Sequence, residues 1–426
     1  MFIVPLSSSE ATDATRFGPK AANLAALGRA GLRIPDGFCL DAAAYRHQVA
    51  ALGLDASARA VFASDDPADA RQHALGMKLG LLEQPIAPGV IEPLLEAWHD
   101  LVDGTDALSV VRSSALVEDR FGSSFAGQFE SYLGLEHEAE LLTAVRACWA
   151  ALWSTRALRY MASHDLDPAE TSMAVLVQPL VRARAAGGGL SRTADGGMLV
   201  NATLGLGASI AQGEVTPDRF ELDRDGSIRH VSPGRKDHAL RCGHRRAPAA
   251  EAVSAALAEE PCLDENQVSE LAGLLQRAED VMGMPVEIEW ALDEDGFTLL
   301  QARPLHLQAP HVPEDIWLQH PRLNGHPAGI GWGAGRAVVI NCECELGRIA
   351  PGDVLVTRVA GPALGHILRQ VAGVVTERGG STSHFASLAR ERGIPMVLGV
   401  ADATRRIPDG AQVAVDGVAG IVRWMS

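Results

Sequence analysis

The residue best placed for chemistry in this 426-residue chain is His384. It stands in GGSTSHFASLAR (379–390), behind two glycines and Ser381-Thr382-Ser383, and a helix-forming stretch follows it. At a helix N-terminus the unpaired N–H groups and the dipole disfavour an imidazolium and favour an incoming phosphoryl dianion. The placement therefore predicts an imidazole kept neutral, as a nucleophile must be. Thr382 or Ser383 is expected to cap the helix or to bond a phosphoryl oxygen. The glycines remove bulk, so that another domain can close around the ring. Phe385, Leu388 and Ala389 are expected to form the buried stripe. Arg390 and Arg392, ahead of Gly393, are expected to complement the C-terminal dipole. A bare Ser-His at a helix start is more often packed and inert, so the motif needs support from elsewhere in the chain.

A second group lies in VEIEWALDEDGFTLLQARPL (286–305). On a strand, Glu287 and Glu289 share one face, and Gln301 and Arg303 share a face of the next strand. A three-residue loop, Glu294-Asp295-Gly296, pairs Glu289 with Gln301 and Glu287 with Arg303; a two-residue loop puts them on opposite faces. In the first register the patch offers oxygen ligands suited to Mg²⁺ and a guanidinium that takes phosphate bidentately. On spacing alone, an exposed cross-strand Glu–Arg pair is an equally ordinary outcome.

Other cations and glycines are sparser signals. Lysine occurs only at 20, 78 and 236 in a chain that otherwise uses arginine. Lys20 in FGPKAANL and Lys236 in SPGRKDH are therefore expected where a compact ammonium is needed. VVRSSALVEDRFGSSFAGQFESY places Arg112 at the end of a strand, then Ser113, Ser114 and a flexible stretch, Gly122 to Gly127, able to fold over a polyphosphate or to serve as a surface loop. Gly205, Gly207 and Gly213 follow a strand in NATLGLGASIAQGEVTPDRF; such glycines let backbone N–H groups approach phosphate, and equally they make a plain turn.

Composition bounds the whole. The length suits two or three domains. A formal net charge of −16 argues against a nucleic-acid surface. Six cysteines do not make a disulfide framework, and Cys342 and Cys344 lack the companions of a metal site, so alternation on a strand or loop is the expected reading. The N-terminus lacks the basic start and apolar run of a signal peptide, and no apolar stretch is long enough to span a bilayer. The expected location is the cytoplasm, with no membrane partner.

The elements that must position these residues follow from periodicity. Helices are expected in AANLAALGRAG, in VIEPLLEAWHDLV, across 138–163, and in DENQVSELAGLLQRAEDVMG with its acidic first turn and glycine stop. Strands are expected in DALSVVRSSAL, TSMAVLVQPLV, GGMLVNATLGL and the hairpin above. Residues 306–325, rich in proline and histidine and without periodicity, read as a polar linker free of core residues. Short strands and helices fill 326–426, a normal domain length.

Taken in order, FGPKAANLAALGRAGLRIPDGF, VVRSSALVEDRFGSSFAGQFESYL, MAVLVQPLV, LGLGASIAQGEVTPDRF, EIEWAL and LLQARPL resemble the ATP-binding domain of the phosphoenolpyruvate synthase, pyruvate phosphate dikinase and rifampin phosphotransferase family. GDVLVT followed by GGSTSHFASLARERGIPMVLGV resembles that family's swivelling phosphohistidine domain. The resemblance implies an α/β (α+β) fold: an ATP-grasp domain over 1–305, a linker over 306–325 and a swivel domain over 326–426. It implies that Lys20 and Arg112 grip ATP phosphates, that Gln178 and Leu180 lie beside adenine, and that Gly205 and Gly207 belong to the nucleotide site. Glu289 and Gln301 match the Mg²⁺ ligands, Arg303 a phosphate-binding arginine, His384 the transiently phosphorylated histidine, and Thr382 and Ser383 its supporting neighbours.

Two segments depart from the family pattern. Glu287 stands where members usually have Asp, and RAAGGGLSRTADGG replaces a Ser-Gly-Val and Phe-Thr pattern. The sequence is expected to encode no acceptor domain beside the ATP-binding and histidine domains. The resemblance implies an ATP-dependent phosphotransferase of dikinase type, ATP ending as AMP plus phosphate, acting on a small-molecule acceptor. The alternatives are a phosphocarrier that needs an acceptor-binding partner protein and a degenerate ATP-binding regulator. The last predicts loss of Lys20, Glu289, Gln301, Arg303 or His384, all of which are present.

Overall fold

The helix Glu265–Met282 shows how local sequence sets the elements. Asp264 caps it by accepting from Gln267 N, Gln267 returns the bond, and Gly283 ends it in the left-handed conformation at φ 68°. Val268, Leu271, Ala272 and Leu275 supply the buried face. The computed structural model describes residues 2–64, 66–103, 108–118, 129, 131–162, 164, 166–193, 195–241, 248–305, 317 and 320–425. The stretch Gly122 to Gly127 and most of 306–325 lie outside the described residues.

The fold is α/β, and the chain forms two compact units. The first comprises Met1–Arg182, Cys242–Ala249 and Thr298–Arg303. Its sheet runs in the order Ile3–Pro5, Phe38–Leu40, Met173–Pro179, Ser109–Ala115, Ser131–Leu135. Phe17, Leu24, Cys39 and Leu176 belong to its core. The helical stretch expected over 138–163 is two helices, Glu138–Ala151 and Thr155–Ala162, because Ser154 Oγ takes the Ala157 N–H and starts a new one.

The second unit comprises Ala183–Arg241, Ala250–Phe297 and Pro304–Ser426. One of its sheets has as successive neighbours Val286–Asp293, Ala185–Leu190, Met198–Leu204, Asp218–Leu222 and Ile228–Ser232. The strand Ala185–Leu190, sequence AAGGGL, was not legible as one. Glycine disfavours strands, yet here side chains do not fit: a Cβ on Gly187 would stand 1.9 Å from Asn201 O. The other sheet runs Arg322–Asn324, Ile421–Met425, Gln412–Asp416, Trp332–Ile340, Val354–Thr357, Gly373–Thr376, Met396–Leu398, His326–Gly329 among the described residues. Val354, Val356, Val375, Val397, Val413 and Val415 are in its core.

Three expectations are corrected. The connection after Asp293 is two residues, Glu294 and Asp295, with the next strand starting at Gly296 (φ 112°), so the three-residue loop is not the one adopted. Within the stretch read as a polar linker, Trp317 is buried with its ring 6.3 Å from that of Trp332, and Arg322–Asn324 is a strand. Cys342 and Cys344 are joined by a disulfide. Among the described residues no helix is long and apolar enough to cross a membrane.

Candidate functional site

Lys20 owes its position to a kink. The helix Ala14–Arg29 breaks at Gly18, whose φ of 74° and close approach to Ser114 leave no room for a Cβ. Pro19 restarts the helix, and Ser114 Oγ accepts from Ala21 N at 3.2 Å. Lys20 therefore sits in a first helical turn. It is 6% exposed; its ammonium donates to Ser113 O at 2.9 Å and pairs with Glu118 at 2.9 Å. Glu118 also accepts from Ala115 N. This carboxylate, not singled out in the sequence, holds the ammonium in place. Glu118→Ala leaves a buried ammonium without its counter-charge, and the urea midpoint is expected to fall by the equivalent of about 3–5 kcal/mol, Glu118→Gln costing less.

The same unit carries the other residues expected around a nucleotide. Arg112 lies within the strand Ser109–Ala115 rather than at its end. It donates to Leu300 O and, at 3.0 Å, to Gln301 Oε1. Gln301 and Arg303 are buried, at 6% and 7% exposure. Gln178 is buried and donates its amide N–H to Pro35 O at 3.2 Å, and Leu180 N donates to Leu108 O. Gly37 touches Gln178 so closely that a Cβ would overlap Val177 O.

In the second unit, Gly205 takes a φ of 73° beside Leu240, the turn role that its sequence allowed. Gly207 precedes the single turn Ala208–Ala211. Lys236 is fully buried against Asp218, which also accepts from Gly234 N and Cys262 N at 2.8 Å. The ammonium at this position is taken up by Asp218.

His384 is the first residue of the helix His384–Glu391 and is partly exposed. Ser383 is its N-cap, accepting from Ala386 N at 3.2 Å. Thr382 is not the cap: its side chain fills the space that Gly188 leaves, where a glycine Cβ would lie 2.7 Å from Thr382 Cβ. Gly188 is the cross-strand partner of Glu289. Gly380 lies against Pro217 and Ile210, and Ser381 Oγ accepts from Arg219 at 3.2 Å. The histidine loop thus rests on the sheet that carries Glu289.

The last helical turn departs from expectation. Arg390 is 4% exposed, so it is not a surface cation near the C-terminal dipole. It donates to Glu287 Oε2 at 2.8 Å, to Ala328 O at 3.1 Å, and to Ser381 O. Ser387 Oγ donates to Glu287, with both carboxylate oxygens at 3.1 Å. Arg392, the C-cap residue, donates to Gly365 O at 3.0 Å. Glu287 and Gln301 therefore have separate partners.

Among the described residues no cluster of three His, Cys, Asp or Glu side chains is gathered for a metal. Glu289 and Gln301 each carry an oxygen of the kind a hard cation takes when it uses few protein ligands and keeps its water, but the two-residue turn does not give the register that would pair them.

Electrostatics around the docked loop centre on His326, in the strand His326–Gly329. Burial first, then the Arg219 guanidinium, push its imidazole down to about 4; His230 adds to this and Glu221 opposes it. The unfolded chain thus takes up a proton near the ordinary histidine pKa of 6.5, which the folded unit refuses until about pH 4. Stability is then full above 6.5 and falls as pH drops through that window, by roughly 3 kcal/mol at its acid end. Urea midpoints at several pH values should show this slope, and His326→Gln should flatten it.

Two family models match the chain: the pyruvate phosphate dikinase AMP/ATP-binding domain over residues 14–318, and the mobile domain of PEP-utilising enzymes over 349–420. The phosphoenolpyruvate synthase of Aeropyrum pernix is 33% identical over 456 residues, covering 95% of this chain and 56% of that protein. That of Pyrococcus furiosus is 30% identical, covering 96% and 57%, and that of Escherichia coli is 31% identical, covering 96% and 55%. The chain spans about half the length of these curated relatives.

Proposed function

The chain belongs to the pyruvate phosphate dikinase and phosphoenolpyruvate synthase family of PEP-utilising enzymes, and from that membership we propose that it moves a phosphoryl group from ATP through His384 to a small-molecule acceptor. One observation carries the reading: Thr382, two residues before His384, is seated on Gly188, the strand partner of Glu289. A carrier loop resting on a strand that offers a metal-ligating carboxylate is what loading from a nucleotide requires.

In this reading residues 1–305 bind ATP, 326–426 carry the histidine, and 306–325 connects them. Lys20, Arg112 and Arg303 take the phosphates, and Gln178 and Leu180 flank the base. By family membership, and not by the hairpin register, Glu289 and Gln301 would be the residues to hold Mg²⁺, which when bound would offset charge on the phosphate oxygens. A His384 ring nitrogen attacks the β-phosphorus in line. The N–P bond forms as the bond to the bridging oxygen breaks, and AMP departs with that electron pair. Water then takes the terminal phosphate as inorganic phosphate, and the remaining phosphoryl group passes to the acceptor. Ser383 fixes the helix start, so the N–H groups of that turn face the phosphoryl oxygens.

The test is nucleotide analysis by mass spectrometry during turnover against a panel of hydroxyl, enolate, carboxylate and amide metabolites. AMP, phosphate and one phosphorylated metabolite support the proposal; ADP alone contradicts its dikinase step. Label that leaves the enzyme only when a second protein is added replaces the small-molecule acceptor by a carrier role.

A further inference from the structure

Glu287 and Arg390 lie 103 residues apart in sequence and meet as a buried ion pair, each side chain 5% exposed. We propose that this pair, with Ser387, is a latch that registers the histidine helix on the Glu289 strand for loading, and that Glu287 is a positioning residue rather than a ligand of the nucleotide. The inference rests on the phosphohistidine reading above.

Two anchors fix the helix against the sheet. At one, Arg390 and Ser387 engage the Glu287 carboxylate. At the other, Thr382 fills the notch at Gly188, opposite Glu289. Glu287 and Glu289 are two residues apart on one strand face, roughly 6.7 Å along it. Thr382 precedes the helix start and Arg390 lies in its last turn, so the helix runs along the strand with His384 toward the Glu289 end. Sliding the helix by one turn would break both anchors at once.

The chemistry of the latch suits a carrier that must leave. A buried ion pair gains little net free energy, because both charges must be desolvated to form it, yet it tolerates little geometric error. Docking is thereby specific without being tight. Glu287 accepts from Ser387 as well as Arg390, which orders its carboxylate in the docked state. Gly188 adds a steric check: any side chain there meets Thr382.

The test uses the full chain with Mg²⁺-ATP. Glu287→Gln keeps the shape and removes the charge; its rate of phosphoenzyme formation is expected to fall by about 30-fold or more while ATP affinity by equilibrium dialysis is unchanged. Hydrogen exchange in the peptide 379–390 should quicken in the same variant, a readout that needs no phosphotransfer. Ser387→Ala, which deletes one hydroxyl, should lower the rate by a few-fold and serves where Glu287→Gln does not fold. A Glu287→Gln protein that labels at the wild-type rate with unchanged exchange overturns the latch, as does one whose ATP affinity falls in step with its rate. If the wild type forms no phosphoenzyme, the functional reading has failed, and the exchange experiment still decides whether the latch exists.

Discussion

His384→Ala is expected to form no acid-labile phosphoenzyme from ATP, a loss beyond the detection range, while the protein stays folded and still binds the nucleotide. The physical basis is that the alanine methyl group offers no nucleophile at that position. The side chain is partly exposed at the first helical position and the helix is capped by Ser383, so its removal takes little from the packing. Phe385, Leu388 and Ala389 keep the helix buried. The checks are radiolabel retained at neutral pH but lost in acid, with far-UV circular dichroism as the folding control. Label persisting at the wild-type level would remove His384 from the mechanism.

The second large effect concerns stability. Asp218 and Lys236 are both wholly buried, and Asp218 accepts from the ammonium and from two backbone N–H groups. Asp218→Ala strands a buried cation, at about 3–5 kcal/mol, and orphans the buried Gly234 amide, at about 1–3 kcal/mol, and the part-buried Cys262 amide at less. Together these rival the whole stability of a typical domain. Little folded protein is expected, and chemical denaturation should show the transition shifted or absent. Asp218→Asn, which still accepts hydrogen bonds, should be milder, and the pair Asp218→Asn with Lys236→Met milder than the sum of the two. Asp218 also borders Pro217 and Arg219, which contact Gly380 and Ser381, so its loss should loosen the seat of the histidine loop.

Local signals were legible in the sequence and long-range ones were not. The helix Glu265–Met282 declared itself through an acidic cap, a stripe at helical spacing and a terminal glycine, all within twenty residues. The histidine helix did the same through Ser383 and the small residues around it. The rarity of lysine marks position 236, but nothing in SPGRKDH points to Asp218 as its partner. Glu118 was equally hidden as the partner of Lys20. Arg390 looked like a dipole-complementing cation because its helix position allows that role, and only the fold reveals that Glu287 faces it. The triple-glycine strand leaves no signal in the sequence because its conformation is imposed by its neighbours against glycine's own preference. The hairpin turn depended on a single residue of loop length, which periodicity does not resolve.

The most direct test of the central claim is tandem mass spectrometry of a neutral-pH tryptic digest after incubation with Mg²⁺-ATP. Cleavage after Arg378 and Arg390 releases GGSTSHFASLAR with His384 as its only histidine. The account predicts one phosphoryl group on that imidazole, removed by acid and absent without ATP. An unmodified peptide from protein that is consuming ATP, or an acid-stable phosphate on a serine or threonine in its place, would contradict it.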